Sequence, residues 1–330
     1  MRIGQNPVKI ARPPVPQPQE VTVVVVSFIP YLSGYFERSL EVLQISLESL
    51  WANTRTPFDL LVFDNASCPE VRAYLLKEHE AGRIQYLVLS EKNVGIPGAR
   101  NFAFAAAPGK YIAYADYDIY FYPGWLEAHL EILRTFPNVG MVTGTPIRPP
   151  VEISSSTLAW AEANPEVKIS RGVLQSWDDY RAHVLSLGFS EEKAQRTYPQ
   201  GEDILLEYRG LEAFAGAAHF QFVAPKAVLE EVLPFPMSIA MGDARILDQR
   251  INEKGYLRLC LRRRYVEHMG NVPSPEILAR ARRQVPPPPS PTRSRLRQAI
   301  YTLADFPLVR RPLMFLYNRI FQLYYKRVSE

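Results

Sequence analysis

Two aspartates separated by one residue, Asp116 and Asp118, follow the apolar stretch YIAYA at 111–115. Such a stretch reads as a strand, so the pair stands at its carboxyl end, and two carboxylates so placed suit a hard divalent cation. Mg2+ or Mn2+ normally takes one or two protein carboxylates and completes its shell with water and phosphate oxygens, which makes a nucleotide diphosphate the natural companion ligand. An isolated Asp-x-Asp is common in surface turns; the preceding strand is what favours the metal here.

The elements that must hold this pair are legible in order. Val21 to Ser27 (VTVVVVS) is a β-branched run without alternation, the mark of a strand covered on both faces. Apolar spacing from Phe36 through Leu40, Leu43, Leu47 and Leu50 to Trp51 predicts a helix, and Asp59 to Asp64 a second strand. A helix at Pro69–Glu80, a strand near Ile84–Leu89, a helix starting near Gly98 and a strand at Lys110–Tyr114 continue the alternation. The fold class is therefore α/β, with right-handed crossovers, a mostly parallel central sheet flanked by helices, and a site in the loops at the strands' carboxyl ends. Between 150 and 212 polar and helical-looking pieces alternate, Trp177–Leu187 among them, and the core returns at Phe214–Ala224 and Leu257–Leu261.

The 330 residues allow about two domains, or one large domain with appendages, at roughly 150 residues each. With 47% apolar and 22% charged residues the chain is neither disordered nor rod-like. The 29 prolines concentrate towards the ends. Residues 1–20 read as an extended proline-rich arm and 273–292, which contain VPPPPSPT, as an extended spacer. The formal charge of +4 is unevenly spread: residues 255–330 hold fifteen Arg and Lys against four acids. Within 293–330, two amphipathic helices broken at Pro307 and Pro312 are expected, with Leu313, Leu316, Ile320, Leu323 and Tyr324 on one face of the last. That basic tail fits an anionic membrane surface, with Phe315, Phe321 and Tyr325 entering the interface. Packing of the same helices on the globular domain or on a second copy in a homo-oligomer is the competing reading. No RNP-like or zinc-finger pattern accompanies the charge, so nucleic acid is not expected. Two cysteines, Cys68 and Cys260, make no disulfide scaffold, and neither a secretory leader nor an apolar run of about 18 residues is present, so a cytoplasmic protein, peripheral on the inner membrane face, is expected.

Six segments in order carry a family resemblance: VTVVVVSFIP at 21–30, LLVFDNAS at 60–67, NVGIPGARN at 93–101, YADYDIYFYPGW at 114–125, MGDARILDQRINEKGY at 241–256 and VEHMG at 266–270. Together they resemble inverting glycosyltransferase family 2, whose nucleotide-sugar domain has the GT-A fold, over roughly residues 21–272. The resemblance divides the domain into a nucleotide-sugar half at 21–150 and an acceptor half at 151–272. It implies that Asp64 accepts a hydrogen bond from the nucleotide base, with Ser27 and Phe28 nearby, which favours a base with a ring NH such as uracil. Asn93, Gly95 and Arg100 would approach the nucleotide, Asp116 the ribose and the metal, and Asp118 the metal that bridges the phosphates. His268 would complete the metal shell, and Asp243 would be the base that deprotonates the acceptor. The family usually has Glu-Asp where this chain has Gly242-Asp243. His219, in AAHFQF, is assigned a structural role.

The expected activity is metal-dependent, inverting transfer of one sugar from a nucleotide-diphosphate sugar, UDP-sugar favoured, to a hydroxyl of a glycan, lipid or small molecule. The QxxRW motif of processive synthases is missing, which favours single addition. A nucleotidyltransferase lacks support because SFIPYLSGY is not its glycine-rich first loop. A catalytically inactive nucleotide-sugar-binding scaffold is the alternative, and Gly242 is its best argument.

Overall fold

The computed structural model describes residues 14–237 and 245–284, together with Pro312, Leu316 and Arg319. The chain divides into two compact units, Met1–Val285 and Pro286–Glu330. In the second, the described residues are helical and exposed; the rest of the expected basic tail, and residues 1–13 of the arm, lie outside the described residues. Residues 14–20 form neither helix nor strand.

The first half alternates as the spacing predicts. Strand β1 (Val21–Ser27) is followed by helix α1 (Ser39–Asn53), β2 (Phe58–Asn65), α2 (Pro69–Glu80), β3 (Tyr86–Ser90), α3 (Gly95–Ala106) and β4 (Tyr111–Asp116). A short β5 (Ile119–Phe121), α4 (Trp125–Thr135) and β6 (Val139–Thr143) complete it. The unbroken valine run of β1 has a direct cause. Val21, Val23 and Val25 join the core under α1 and α4, while Val24 and Val26 join a second core under α3. Burial on both sides stabilises each of these side chains by roughly 1.5–3 kcal/mol.

Residues 150–212, which the sequence leaves mostly open, contain α5 (Ser155–Ala163), β7 (Lys168–Gly172), α6 (Trp177–Ser186), α7 (Glu191–Thr197) and β8 (Asp203–Tyr208). Then come β9 (Leu211–Ala215), β10 (Gln221–Pro225), α8 (Lys226–Val232), α9 (Ile246–Glu253), β11 (Leu257–Leu261), β12 (Val266–His268) and α10 (Pro275–Gln284). Helix α10 corrects the expectation of an extended spacer over 273–292. Ser274 accepts a hydrogen bond from the Ile277 N–H at 3.2 Å, Pro275 opens the helix where its missing N–H costs nothing, and Ile277 is buried. The polyproline part, 285–292, lies outside the described residues.

Ten strands form one sheet in the order β3-β2-β1-β4-β10-β6-β11-β9-β8-β7. Strands β3, β2, β1 and β4 are parallel; β10 is inserted antiparallel between β4 and β6, and β6 pairs parallel with β11. Beyond β11 the sheet continues as the antiparallel series β9, β8, β7. The chain leaves β1 towards β2 and returns from β3 to β4 on the other side, so the crossing direction switches between β1 and β4. Register aligns Ser27 with Asp64 and Val26 with Asp116. The strand-terminal candidates thus share one end of the sheet.

A buried histidine outside this end makes stability depend on pH. His129 has no exposed surface. Its Nδ1 donates to the Trp125 carbonyl at 2.6 Å and its Nε2 faces the Gln221 amide at 3.3 Å, while Gln221 in turn accepts from the Gly144 N–H. Burial holds its pKa down to about 4 from an ordinary 6.5. Because the folded value is depressed, the unfolded chain binds the extra proton, and stability is fully present above the unfolded pKa and lost as pH falls from about 6.5 to about 4. The loss attributable to this group at pH 5 is about 2 kcal/mol. Urea denaturation at pH 7.5 and pH 5 checks it: the difference between the two shrinks by that amount in His129→Gln.

Candidate functional site

The two-stranded ribbon of β5 and β12 brings Asp118 and His268 together although they are far apart in sequence. His268 pairs with Ile119 in the ribbon's register, and the Met269 N–H donates to the Asp118 carbonyl at 2.8 Å. His268 Nε2 lies 3.2 Å from Asp118 Oδ2, and both side chains are largely enclosed. Burial works against the imidazolium, but Asp118, together with Asp116 and the Ser186 backbone, outweighs it, and the His268 pKa lies above its ordinary value. The ring is flanked by Phe220, whose centroid is 5.7 Å away, and Phe220 also stacks on His183. Burial, reinforced by His268, drives the His183 pKa down to about 4.

Asp116 ends β4. Its Oδ1 accepts a 2.5 Å hydrogen bond from the Tyr114 hydroxyl and lies 4.0 Å from Arg100 Nη2, and its side chain keeps 31% of its surface exposed. Withdrawal from bulk water raises the Asp116 pKa; Arg100 opposes this and Asp118 adds to it. Arg100 is turned inward. It is 5% exposed, its guanidinium lies over the Tyr114 ring at 4.4 Å, and it donates to the His219 carbonyl at 2.8 Å. Arg100 thereby braces Asp116 and the strand edge beside it.

Asp64 is likewise turned inward. Its carboxylate is fully buried and accepts from the Ser27 hydroxyl at 3.2 Å, the Ser67 N–H at 3.2 Å and Arg72 Nε at 3.3 Å. These occupy three of about four acceptor positions. Arg72, which the sequence does not single out, also bonds Glu91 and the Ser90 carbonyl, so it straps the end of β2 to the end of β3. Phe28, after β1, sets its ring edge-on to Phe36 at 6.4 Å. Asn93 and Asn65 interlock: Asn93 Oδ1 accepts from Asn65 Nδ2 at 2.9 Å and from the Gly95 N–H at 2.8 Å, and Asn65 Oδ1 accepts from the Val94 N–H at 2.8 Å. Gly95 takes φ +72°, a backbone that a side chain would strain, where α3 begins. Asp243 lies outside the described residues, shortly before α9.

Among the described residues no group of three or more His, Cys, Asp or Glu side chains is gathered closely enough to hold a metal. The pair Asp118 and His268 nonetheless fits one. Adjacent donors on an octahedral ion with bonds of about 2.1 Å stand roughly 3 Å apart, close to their observed separation. One carboxylate and one imidazole leave most of the shell to water and phosphate oxygens, as Mn2+ or Mg2+ requires. On the outer side of His268 a cavity of about 730 Å³ is lined by Asp178, Arg181, Glu267, Asn271 and Glu276 among others. Among the described residues no helix is long and apolar enough to cross a membrane.

Residues 35–186 match the family described as Glycosyl transferase family 2. Curated relatives include uncharacterized glycosyltransferases of Rickettsia felis and Rickettsia bellii. Each is 32% identical over 89 residues, which is 27% of this chain but 14% and 13% of theirs, so the match spans only a small part of those proteins. Solved structures similar to this chain include Staphylococcus aureus TarS 1–349 in complex with UDP, with 15% identity and a TM-score of 0.44, covering 80% of this chain and 64% of that one. Another is the mannosyltransferase PcManGT of Pyrobaculum calidifontis in complex with GDP-Man and Mn2+, with 15% identity and a TM-score of 0.42, covering 74% and 54%.

Proposed function

We propose, from the match of residues 35–186 to the family described as Glycosyl transferase family 2, that the chain moves one sugar, with inversion, from a nucleotide-diphosphate sugar to an acceptor hydroxyl. The observation that carries this reading is the Asp118–His268 pair, 3.2 Å apart at the carboxyl end of the sheet. Asp118 and His268, with Asp116 beside them, would hold Mn2+ or Mg2+. When bound, that ion neutralises negative charge on the leaving diphosphate.

The other residues bind and orient. The buried Asp64, with Ser27 and Phe28 above it, forms the floor for the base; the remaining acceptor capacity of its carboxylate suits the ring NH of uracil and supports a UDP-sugar. The Asn93–Gly95 turn lets the nucleotide approach the backbone closely. Inversion requires the hydroxyl to attack from the side opposite the diphosphate, so a base must stand across the sugar from the metal. Asp243 is the residue the resemblance nominates.

The test is a panel of UDP-glucose, UDP-galactose, UDP-N-acetylglucosamine and GDP-mannose with Mn2+, read out as released nucleotide diphosphate with and without sugar acceptors. Metal-dependent release, largest with a UDP-sugar, is expected. Binding of UDP and Mn2+ without release from any donor favours the scaffold. We propose further that residues 293–330 attach the protein to anionic membrane; liposome flotation of the full chain and of a chain ending at residue 292 should differ, and equal recovery sinks the anchor.

A further inference from the structure

We propose that His219 is the general base that takes the proton of the acceptor hydroxyl, with Asp248 holding its ring in position. This rests on the glycosyl-transfer reading above. It assigns a role that the resemblance gives to Asp243 and departs from the structural role expected for His219.

The backbone carrying His219 is pinned at every residue. Arg258 Nη2 donates to the Ala217 carbonyl at 2.5 Å, and Ala218 exchanges hydrogen bonds with the Thr143 hydroxyl at 2.7 and 3.0 Å. The His219 carbonyl takes Arg100 at 2.8 Å, and the Phe220 carbonyl accepts from the Asp116 N–H at 2.9 Å. His219 is thus fixed one residue along from the peptide that bonds the metal-side aspartate. Phe220 turns its ring towards His268. The side chain of the preceding residue, His219, instead meets Asp248 on α9 and keeps 33% of its surface exposed.

The imidazole is set up for proton transfer. Its Nδ1 lies 3.0 Å from Asp248 Oδ2. Asp248 is 2% exposed, and its other oxygen is held by Arg258 Nη2 at 2.5 Å. A carboxylate held in this way only accepts, so Nδ1 carries the hydrogen and Nε2 presents its lone pair. Among the described residues Nε2 has no partner. A buried carboxylate behind one nitrogen also stabilises the imidazolium formed when the other takes a proton. In the step, the acceptor oxygen bonds to the anomeric carbon, the bond from that carbon to the diphosphate oxygen breaks with its electron pair leaving on the diphosphate, and the acceptor's proton moves to Nε2.

The experiment uses the full chain and the donor panel above, with water or a sugar as acceptor. His219→Ala and His219→Gln should lower kcat by about 10²–10⁴-fold, leave the affinity for UDP with Mn2+ within twofold, and, for the alanine variant, regain turnover when imidazole is added. Asp248→Asn should lower kcat without weakening UDP binding, a split that loss of a packing contact alone does not produce. Wild-type kcat in both His219 variants overturns the proposal, and so does an unrescued loss in His219→Ala that is matched by weakened UDP binding. A large kcat loss in Asp243→Asn with wild-type kcat in His219→Gln returns the role to Asp243. If wild-type protein releases nothing from any donor, the glycosyl-transfer reading itself has failed and this assignment falls with it.

Discussion

Asp118→Ala is expected to lower metal-dependent release of nucleotide diphosphate by at least about a thousand-fold, the loss of several kcal/mol of charge stabilisation at the leaving group. The reason is local. Asp118 is the only carboxylate whose oxygen meets His268, at 3.2 Å, among the described residues. The substitution removes the charge and spares the scaffold, because the main-chain carbonyl of residue 118 still accepts from Met269 and the β5–β12 ribbon keeps its register. Three readouts should move together: turnover falls, Mn2+ no longer stimulates it, and UDP binds no more tightly with Mn2+ than without. A fourth isolates the pair in the metal-free protein. Burial alone depresses an imidazole, and Asp118 is the principal group raising His268, so the His268 pKa measured by NMR should fall in the variant. Full turnover in Asp118→Ala would sink the metal site.

What the sequence disclosed follows from how local each feature is. The strand at Val21–Ser27 is legible because burial on both faces leaves its mark on every residue. The helix at Pro69–Glu80 is legible because proline opens it and the following spacing is regular. The insertion of β10 between β4 and β6 is not legible, since nothing in Gln221–Pro225 records which strands it will join. Helix α10 was hidden by the prolines after it, which bias the whole stretch towards an extended reading. The site divides in the same way. Asp116 and Asp118 announce themselves by spacing, while the pairing of Asp118 with His268 depends on a ribbon closed between strands far apart in the chain and came only through resemblance. The protein contacts of Arg100 and Asp64 were beyond reach, because a side chain's type does not say which neighbours the fold will bring to it. His219 carried no motif, and Asp248 lay inside the 241–256 segment of the resemblance without a role of its own; the signal that could have found them is a histidine just before a core strand and an aspartate on an amphipathic helix, too common to decide anything alone.

The same buried network predicts the largest effect on stability. Arg258 is the one fully buried guanidinium among the described residues, and it meets Asp248, itself 2% exposed, at 2.5 Å. It also donates to the Ala217 and Ile153 carbonyls, so α9, the approach to β10 and the turn before α5 converge on one side chain. Arg258→Met keeps the volume but leaves Asp248 charged and buried with His219 as its remaining side-chain partner. Removing one member of such a pair costs about 3–5 kcal/mol, whereas replacing both by apolar groups of similar size is often nearly neutral. Arg258→Met should therefore lower the urea midpoint strongly with an unchanged slope, and Asp248→Leu added to it should recover much of the loss. The coupling between the two substitutions separates the charge pair from the carbonyl contacts, which neither leucine nor methionine restores. Should Arg258→Met alone cost less than about 1 kcal/mol, the network is not what holds His219 and α9 in place.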